Sequence, residues 1–318
     1  MGTDSVGPFG LDPCRDATAI GLGGVFAALV GVSLWASVVG YAAQHASRWL
    51  GGSLEPLLFV SGGTSLVGLV LGSAVYARYL GLDFGLSLPR RGTRRTTVHV
   101  LLAPAVLTVG TALVGNALSG VTLSAMTQRW VSPDAPPSFL LVTVGGPAAF
   151  VGLGYGVLFC GLVYERVEEL VGPGHAVGVA AALVGFFRLL PVEALTALPL
   201  SVGSAVELVL SLVFGVAFGA GLGVSYRYAG GVSPGARLDR RHLLVLAVAA
   251  LGVVGVLTEL TELPRAAGDV LWVLVLGVGV LGYARTRSVW VPALAITVFQ
   301  VTLAAAVYAE AFLGLAGP

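Results

Sequence analysis

Long apolar runs, separated by short loops that hold most of the charges, constrain this chain more than any other feature of its sequence. A helix needs about 20 mostly apolar residues to cross a bilayer, and backbone amides inside lipid must be bonded within the segment. With 56% hydrophobic and 10% charged residues, the sequence predicts an all-α polytopic membrane protein. We place its nine spans at about residues 18–43, 56–80, 97–120, 138–164, 174–192, 200–227, 242–259, 267–284 and 289–315.

The arginines predict the orientation of these spans, because positively charged loops stay on the cytoplasmic side. Of the 17 basic residues, all arginine, thirteen lie in the N-terminal tail or in the loops after the even-numbered spans. Three lie in the opposite loops (Arg48, Arg129 and Arg265), and Arg188 lies within a span. We therefore expect an integral cell membrane protein with a cytoplasmic N-terminus and an outside C-terminus. The net charge of +1 excludes a nucleic-acid partner.

The chain divides into four predicted regions: 1–17, 18–137, 138–245 and 246–318. They are a polar tail, an N-terminal three-helix half, a core and a set of C-terminal transmembrane helices. The proline-rich turn at 131–137 marks the boundary before the core, since proline cannot extend a helix. Within the sixth span, Gly215, Gly219 and Gly223 share one helix face, which predicts close packing against a neighbouring helix.

Three helix-end motifs carry a resemblance to a known family. The fourth span ends Phe159-Cys-Gly-Leu-Val-Tyr-Glu-Arg166, and the fifth ends Phe186-Phe-Arg188. The sixth ends Gly219-Ala-Gly-Leu-Gly-Val-Ser-Tyr-Arg-Tyr-Ala-Gly-Gly231, with a second near-copy at Leu281–Gln300. Their order resembles the CAAX-protease and bacteriocin-processing (CPBP) family of intramembrane proteases. The resemblance implies a CPBP-like helical core, with the last two helices either duplicating or replacing the third motif.

The family's catalytic residue types are absent from the aligned positions. Its glutamate pair falls on Tyr155 and Gly156, its arginine on Cys160 and its first histidine on Arg188, while its second histidine and asparagine fall on Ile296 and Gln300. A tyrosine with a pKa near 10 is a poor base at neutral pH, and Cys160 has no adjacent group to activate it. The resemblance therefore implies a catalytically inactive member that acts as a membrane scaffold or binding protein. The alternatives are an active CPBP-type endopeptidase with rearranged residues and, with less support, a small-molecule transporter.

Charged residues in the core have structural interpretations. We expect Arg188 to form an intramembrane ion pair with Glu207, with Glu193 as the rival partner, because a charge within a span needs a partner. Glu165, Arg166, Glu168 and Glu169 are expected to form a solvated amphipathic turn. The histidine and carboxylate spacing gives no metal site and no cofactor is expected. The expected partners are the lipid bilayer and another membrane protein or peptide, and the sequence does not set the oligomeric state.

Overall fold

The computed structural model describes residues 13–49, 55–83, 85–129, 144–190, 202–229, 240–259 and 263–313, which are helical apart from short turns. The first five helices are α1 (Pro13–Ser47), α2 (Glu55–Gly62, Gly63–Leu71 and Gly72–Leu80 in one continuous rod), α3 (Arg94–Ser119), α4 (Leu123–Thr127) and α5 (Gly146–Tyr155, Gly156–Leu162 and Val163–Val171, again continuous). The other five are α6 (Pro173–Leu189), α7 (Val202–Ala229), α8 (Arg240–Glu259), α9 (Leu263–Thr286) and α10 (Trp290–Phe312). The middle segments of α2 and α5 are wider π-helical turns.

Seven of the described helices are long and apolar enough to cross a membrane: α1, α2, α3, α5, α7, α9 and α10. The chain is therefore a helical integral membrane protein, as the apolar runs predicted, but the count of nine spans is not confirmed. Helix α6 has 17 residues, which at 1.5 Å per residue is about 25 Å, short of the hydrocarbon thickness of about 30 Å. The described apolar stretch of α8, Leu243–Gly255, is shorter still.

Helices α5, α9 and α10 form the centre of the bundle. All seven residues of the π-helical turn in α5 are buried. Around this centre, α3 packs on α9 and α10, α6 packs on α9 and on the end of α5, and α1 packs on α2 and α7. Contacts therefore cross the predicted boundary at residue 137, because the first and third spans pack on helices of the C-terminal half.

Helices α5 and α10 approach each other closely at two glycines. Gly152 packs against the carbonyl of Ala293, and a Cβ atom at Gly156 would lie 2.9 Å from the nitrogen of Ala293. Because the opposing atoms belong to the backbone, neither position has room for a side chain. Small residues let membrane helices pack this tightly through van der Waals contact.

The glycine stripe of α7 packs on α1, which confirms the expectation of a close helix neighbour. A Cβ atom at Gly219 would lie 2.6 Å from the carbonyl oxygen of Leu22, and one at Gly223 would lie 2.6 Å from Cα of Ala19. Gly215 faces the ring of Phe26 in the same way. The stripe therefore serves to join the first helix to the seventh.

One end of the bundle is closed by a polar group that we call the Arg287 clamp: Arg287, Glu165, Glu168, Tyr283 and Gly85. The guanidinium of Arg287 donates to Glu168 at 2.6 Å and to Glu165 at 3.2 Å. Tyr283 donates its hydroxyl hydrogen to Glu165 at 2.8 Å and accepts the N–H of Gly85 at 3.0 Å. The hydrogen bonds to Glu168 raise the pKa of Arg287 above its usual range, so Arg287 stays positively charged at every physiological pH.

The clamp corrects the expectation of a fully solvated turn after the fourth predicted span. The side chains of Glu165 and Glu168 are only 19% and 16% exposed. Arg166 and Glu169, which form the exposed pair at 2.7 Å, are the two residues that behave as expected. Sequence spacing gave no sign that the loop before α10 returns to cover the two carboxylates.

The segment 85–87 is tied to the same end of the bundle. The N–H of Val289 donates to the carbonyl of Gly85 at 2.9 Å, and the Ser288 hydroxyl donates to the carbonyl of Ser87 at 2.7 Å. Trp290 donates its indole N–H to the carbonyl of Leu86 at 2.8 Å. The loops after the second, fourth and eighth predicted spans thus meet at one end, as loops on the same side of a membrane must.

Candidate functional site

Helix α4 turns back into the bundle between α3, α9 and α10, which the apolar pattern did not predict. Glu310 of α10 accepts the N–H groups of Leu123 at 2.7 Å and Ser124 at 2.9 Å, so its carboxylate satisfies the first turn of α4. Leu123 and Met126 are buried, and the carbonyl of Met126 lies against Gly268. Glu310 lies two residues before the end of α10, so α4 packs near that end of the bundle, where α3, α9 and α10 contact it.

This turn delivers Arg129 to the interior of the bundle. The chain leaves α4 at Gln128, which adopts a left-handed conformation with φ 52°. Arg129 then donates Nη2 to Oε1 of Gln300 at 2.8 Å. Gln300 lies ten residues beyond the start of α10, about 15 Å along the helix. Arg129 lies in the connection between the third and fourth predicted spans, as the sequence pattern indicated, but its guanidinium reaches inward to the middle of α10.

Arg188, at the end of α6, contacts two side chains of α9. Its Cζ lies 5.4 Å from the centre of the Trp272 ring, and its Nη2 lies 3.8 Å from Oδ1 of Asp269. The expected partner Glu207 has a side chain outside the described part of the chain, as does the whole of Glu193, so that pairing stays a prediction. A carboxylate within the eighth predicted span was the signal that could have identified Asp269.

Tyr155 of α5 packs near the same tryptophan. Its ring lies 6.0 Å from that of Trp272, which in turn packs edge-on against Phe299 at 4.6 Å. Arg129 lies within electrostatic range of both Tyr155 and Arg188, and the two arginines repel each other.

The resulting mid-bundle cluster consists of Arg129, Tyr155, Arg188, Trp272 and Gln300. It brings together three of the six family-aligned positions, one each from α5, α6 and α10. Two of the contacts within the cluster join residue 129 to 300 and residue 188 to 272. At such separations along the chain, hydrophobic periodicity does not indicate which residues are in contact.

The other three aligned positions lie apart from the cluster in apolar packing. Gly156 is sealed against Ala293, and Cys160 and Ile296 are completely buried. The sulfur of Cys160 would lie 3.0 Å from a Cβ atom at Gly279. A side chain at Gly156 would meet the backbone of α10, and Cys160 and Ile296 are enclosed by the apolar core.

The chemistry of the mid-bundle cluster is that of a donor-rich, cationic site. It holds two guanidinium groups, a phenol and an indole N–H, and Asp269 lies 3.8 Å from one of the guanidinium groups, that of Arg188. Among the described residues, neither the Tyr155 hydroxyl nor the Trp272 N–H has a hydrogen-bond partner. Within the same part of the chain, no group of three histidine, cysteine or acidic side chains could hold a metal ion. The cluster can therefore bind and orient an anion.

Comparison with family models, with curated proteins and with solved structures finds no match.

Proposed function

We propose that this protein is a catalytically inactive, CPBP-like membrane scaffold that binds another membrane component. The observation that carries this proposal is the closed packing at Gly156, Cys160 and Ile296. Hydrolysis within a bilayer needs a water molecule, a base to activate it and donors for the developing oxyanion. A packed apolar interior at these positions provides none of the three.

The mid-bundle cluster supports a binding role for the same reason. Its ionisable groups are cationic or phenolic, and Asp269 is paired with Arg188 rather than free to accept a proton from water. A charged group at membrane depth is costly and marks a site by default. Binding a partner is a use of these donors that requires no base.

An active CPBP-type endopeptidase is the second candidate, and one observation favours it. Tyr155, Arg188 and Gln300 converge from three helices, as the polar groups of an intramembrane protease would. In this alternative the cluster orients the scissile bond and a rearranged residue activates water. A small-molecule transporter has less support, because the cluster is surrounded by aromatic packing rather than by a polar path.

The proposal includes a topology with nine crossings and a cytoplasmic N-terminus. The Arg287 clamp supports it, since it joins loops that the arginine distribution assigns to one side. In this topology α6 and α8 cross as short helices and the clamp lies at the cytoplasmic face.

The test is a comparison of protein termini in membrane fractions from cells with and without the gene. A scaffold predicts that the termini of membrane proteins are unchanged in the deletion strain and that a client falls in abundance. Complementation with Cys160→Ala, which alters only the sealed interior, should restore that client as well as the wild-type chain does.

The contrary result is specific. An uncleaved precursor that accumulates in the deletion strain, and is processed again on complementation, would establish proteolysis and contradict the scaffold proposal. Substitutions at Tyr155, Arg188 and Gln300 would then identify which side chains carry the activity.

A further inference from the structure

We propose that the mid-bundle cluster binds a phosphate group, supplied by the headgroup of an anionic phospholipid. This inference rests on the proposed binding function and names its ligand. The first reason is charge. Arg129 donates to a neutral amide, that of Gln300, and among the described residues no carboxylate is paired with it. Asp269 contacts Arg188 at 3.8 Å and is the one carboxylate of the described residues that contacts either arginine.

The second reason is the fit of the donors to an oxyanion. Guanidinium groups present paired N–H donors that match phosphate oxygens two at a time. The Tyr155 hydroxyl and the Trp272 indole N–H add two donors that have no hydrogen-bond partner among the described residues. A phosphate accepts several hydrogen bonds at once, so it can satisfy a set of donors that the described part of the chain leaves without acceptors.

The third reason is depth, and it favours a lipid as the source. Arg188 lies 15 residues after the start of α6 and one residue before its end, or about 22 Å from the helix end beside the Arg287 clamp. In a hydrocarbon core of about 30 Å, this is just beneath the opposite face. An arginine at that depth reaches the headgroup layer by extending its side chain.

The exposure of the Arg188 side chain also favours a lipid as the source of the phosphate. The Arg188 side chain is 40% exposed although it lies on a membrane-depth helix end. A headgroup can therefore approach it laterally from the surrounding lipid, without a path through the packed interior at Cys160. The stacking of Arg188 on Trp272 fixes the guanidinium at the surface of the bundle.

The experiment uses the full chain, delipidated in detergent, and follows its unfolding temperature as ligand is added. The probes are phosphatidylglycerol, phosphatidylcholine with the same acyl chains, and inorganic phosphate. We expect saturable stabilisation by phosphatidylglycerol, little by phosphatidylcholine and little by inorganic phosphate. The double variant Arg129→Gln/Arg188→Gln should bind phosphatidylglycerol roughly tenfold to a hundredfold more weakly, because charge-assisted hydrogen bonds are lost.

A matched control separates this site from general attraction to anionic lipid. Arg94→Gln/Arg95→Gln removes two exposed arginines at the opposite end of the bundle and should keep the wild-type response. If the double variant at the cluster does not fold, Arg188→Lys keeps the charge but loses the paired donors, and we expect about tenfold weaker binding. Native mass spectrometry of the wild type then counts retained phosphatidylglycerol against phosphatidylcholine.

Three results would overturn the proposal. Equal responses to the two lipids in the wild type exclude headgroup recognition, and equal phosphatidylglycerol binding by both double variants excludes the cluster as the site. Saturation by inorganic phosphate alone reassigns the site to a soluble phosphate. Any of these results would leave the proposed scaffold function intact if the termini of membrane proteins are unchanged in the deletion strain. An uncleaved precursor in that strain would contradict the scaffold function whatever the lipid result.

Discussion

Removing the positive charge of the Arg287 clamp is the sharpest test of how this fold is held together. Arg287→Gln deletes contacts to two carboxylates at 2.6 and 3.2 Å and leaves both in a partly buried site. Glutamine is the conservative choice because residue 287 adopts a left-handed backbone with φ 52°, which β-branched side chains avoid. The variant therefore isolates the charge from the packing.

The expected loss in the free energy of unfolding lies between two limits. A fully exposed ion pair contributes about 0 to 1 kcal/mol, and breaking a fully buried one costs about 3 to 5 kcal/mol. The Arg287 side chain is 39% exposed, while its partners are 16% and 19% exposed. Solvent screening of the arginine reduces the cost, so we expect the free energy of unfolding to fall by about 2 kcal/mol.

The assay is equilibrium unfolding of the full chain in mixed micelles with increasing dodecyl sulfate. Arg166→Gln is the control, because it removes an arginine of the neighbouring exposed pair with Glu169 and should cost about 0.5 kcal/mol or less. Combining Arg287→Gln with Glu168→Gln should recover about 1 kcal/mol relative to the sum of the single changes, since no unpaired Glu168 charge remains. Equal losses for Arg287→Gln and Arg166→Gln, with additive effects, would refute the clamp as a stabilising element.

Two other changes test the close contact between α5 and α10 and the attachment of α4 to α10. Gly156→Leu should lower the free energy of unfolding by about 3 kcal/mol, because its Cβ would meet the α10 backbone at 2.9 Å. The control is Gly110→Leu in α3, whose Cβ meets nothing within 4 Å and which should be nearly neutral. Similar losses for the two variants in the same unfolding assay would contradict the close helix contact. Glu310→Gln weakens the carboxylate bonds to the first amides of α4 and should cost about 1 kcal/mol. It should also raise the rate at which a cysteine placed by Met126→Cys reacts with a membrane-permeant thiol reagent, and an unchanged rate would mean that Glu310 does not hold α4.

Several helices followed from local composition because a membrane span is specified by its own residues. The third span, predicted at 97–120, corresponds to α3 (Arg94–Ser119), and the last, predicted at 289–315, to α10 (Trp290–Phe312). In each case an apolar run of the required length leaves helix as the way to satisfy the backbone. The close glycine contacts of α7 followed in the same manner from a four-residue spacing.

The candidate site could not be assembled from the sequence in this way. Arg129 was assigned to an outer loop because it lies between two predicted spans, and that position says nothing of where its side chain points. The inward direction of the side chain depends on Glu310, which holds the start of α4 from 186 residues away. Trp272 and Asp269 were overlooked because a tryptophan within an apolar run is unremarkable until a charge lies over its ring.

The sequence by itself determined that this protein is helical and embedded in a membrane, because the transfer of each apolar run into lipid is a sum over neighbouring residues. The alternation of arginine-rich and arginine-poor connections also predicted that the loops after the second, fourth and eighth spans lie on one side, and these three loops meet at one end of the bundle. Only the tertiary structure decided that Arg287 covers Glu165 and Glu168, that Arg188 lies over Trp272, and that Arg129 bonds Gln300. Those contacts join distant segments, and their energy depends on distance and burial, which no local pattern encodes.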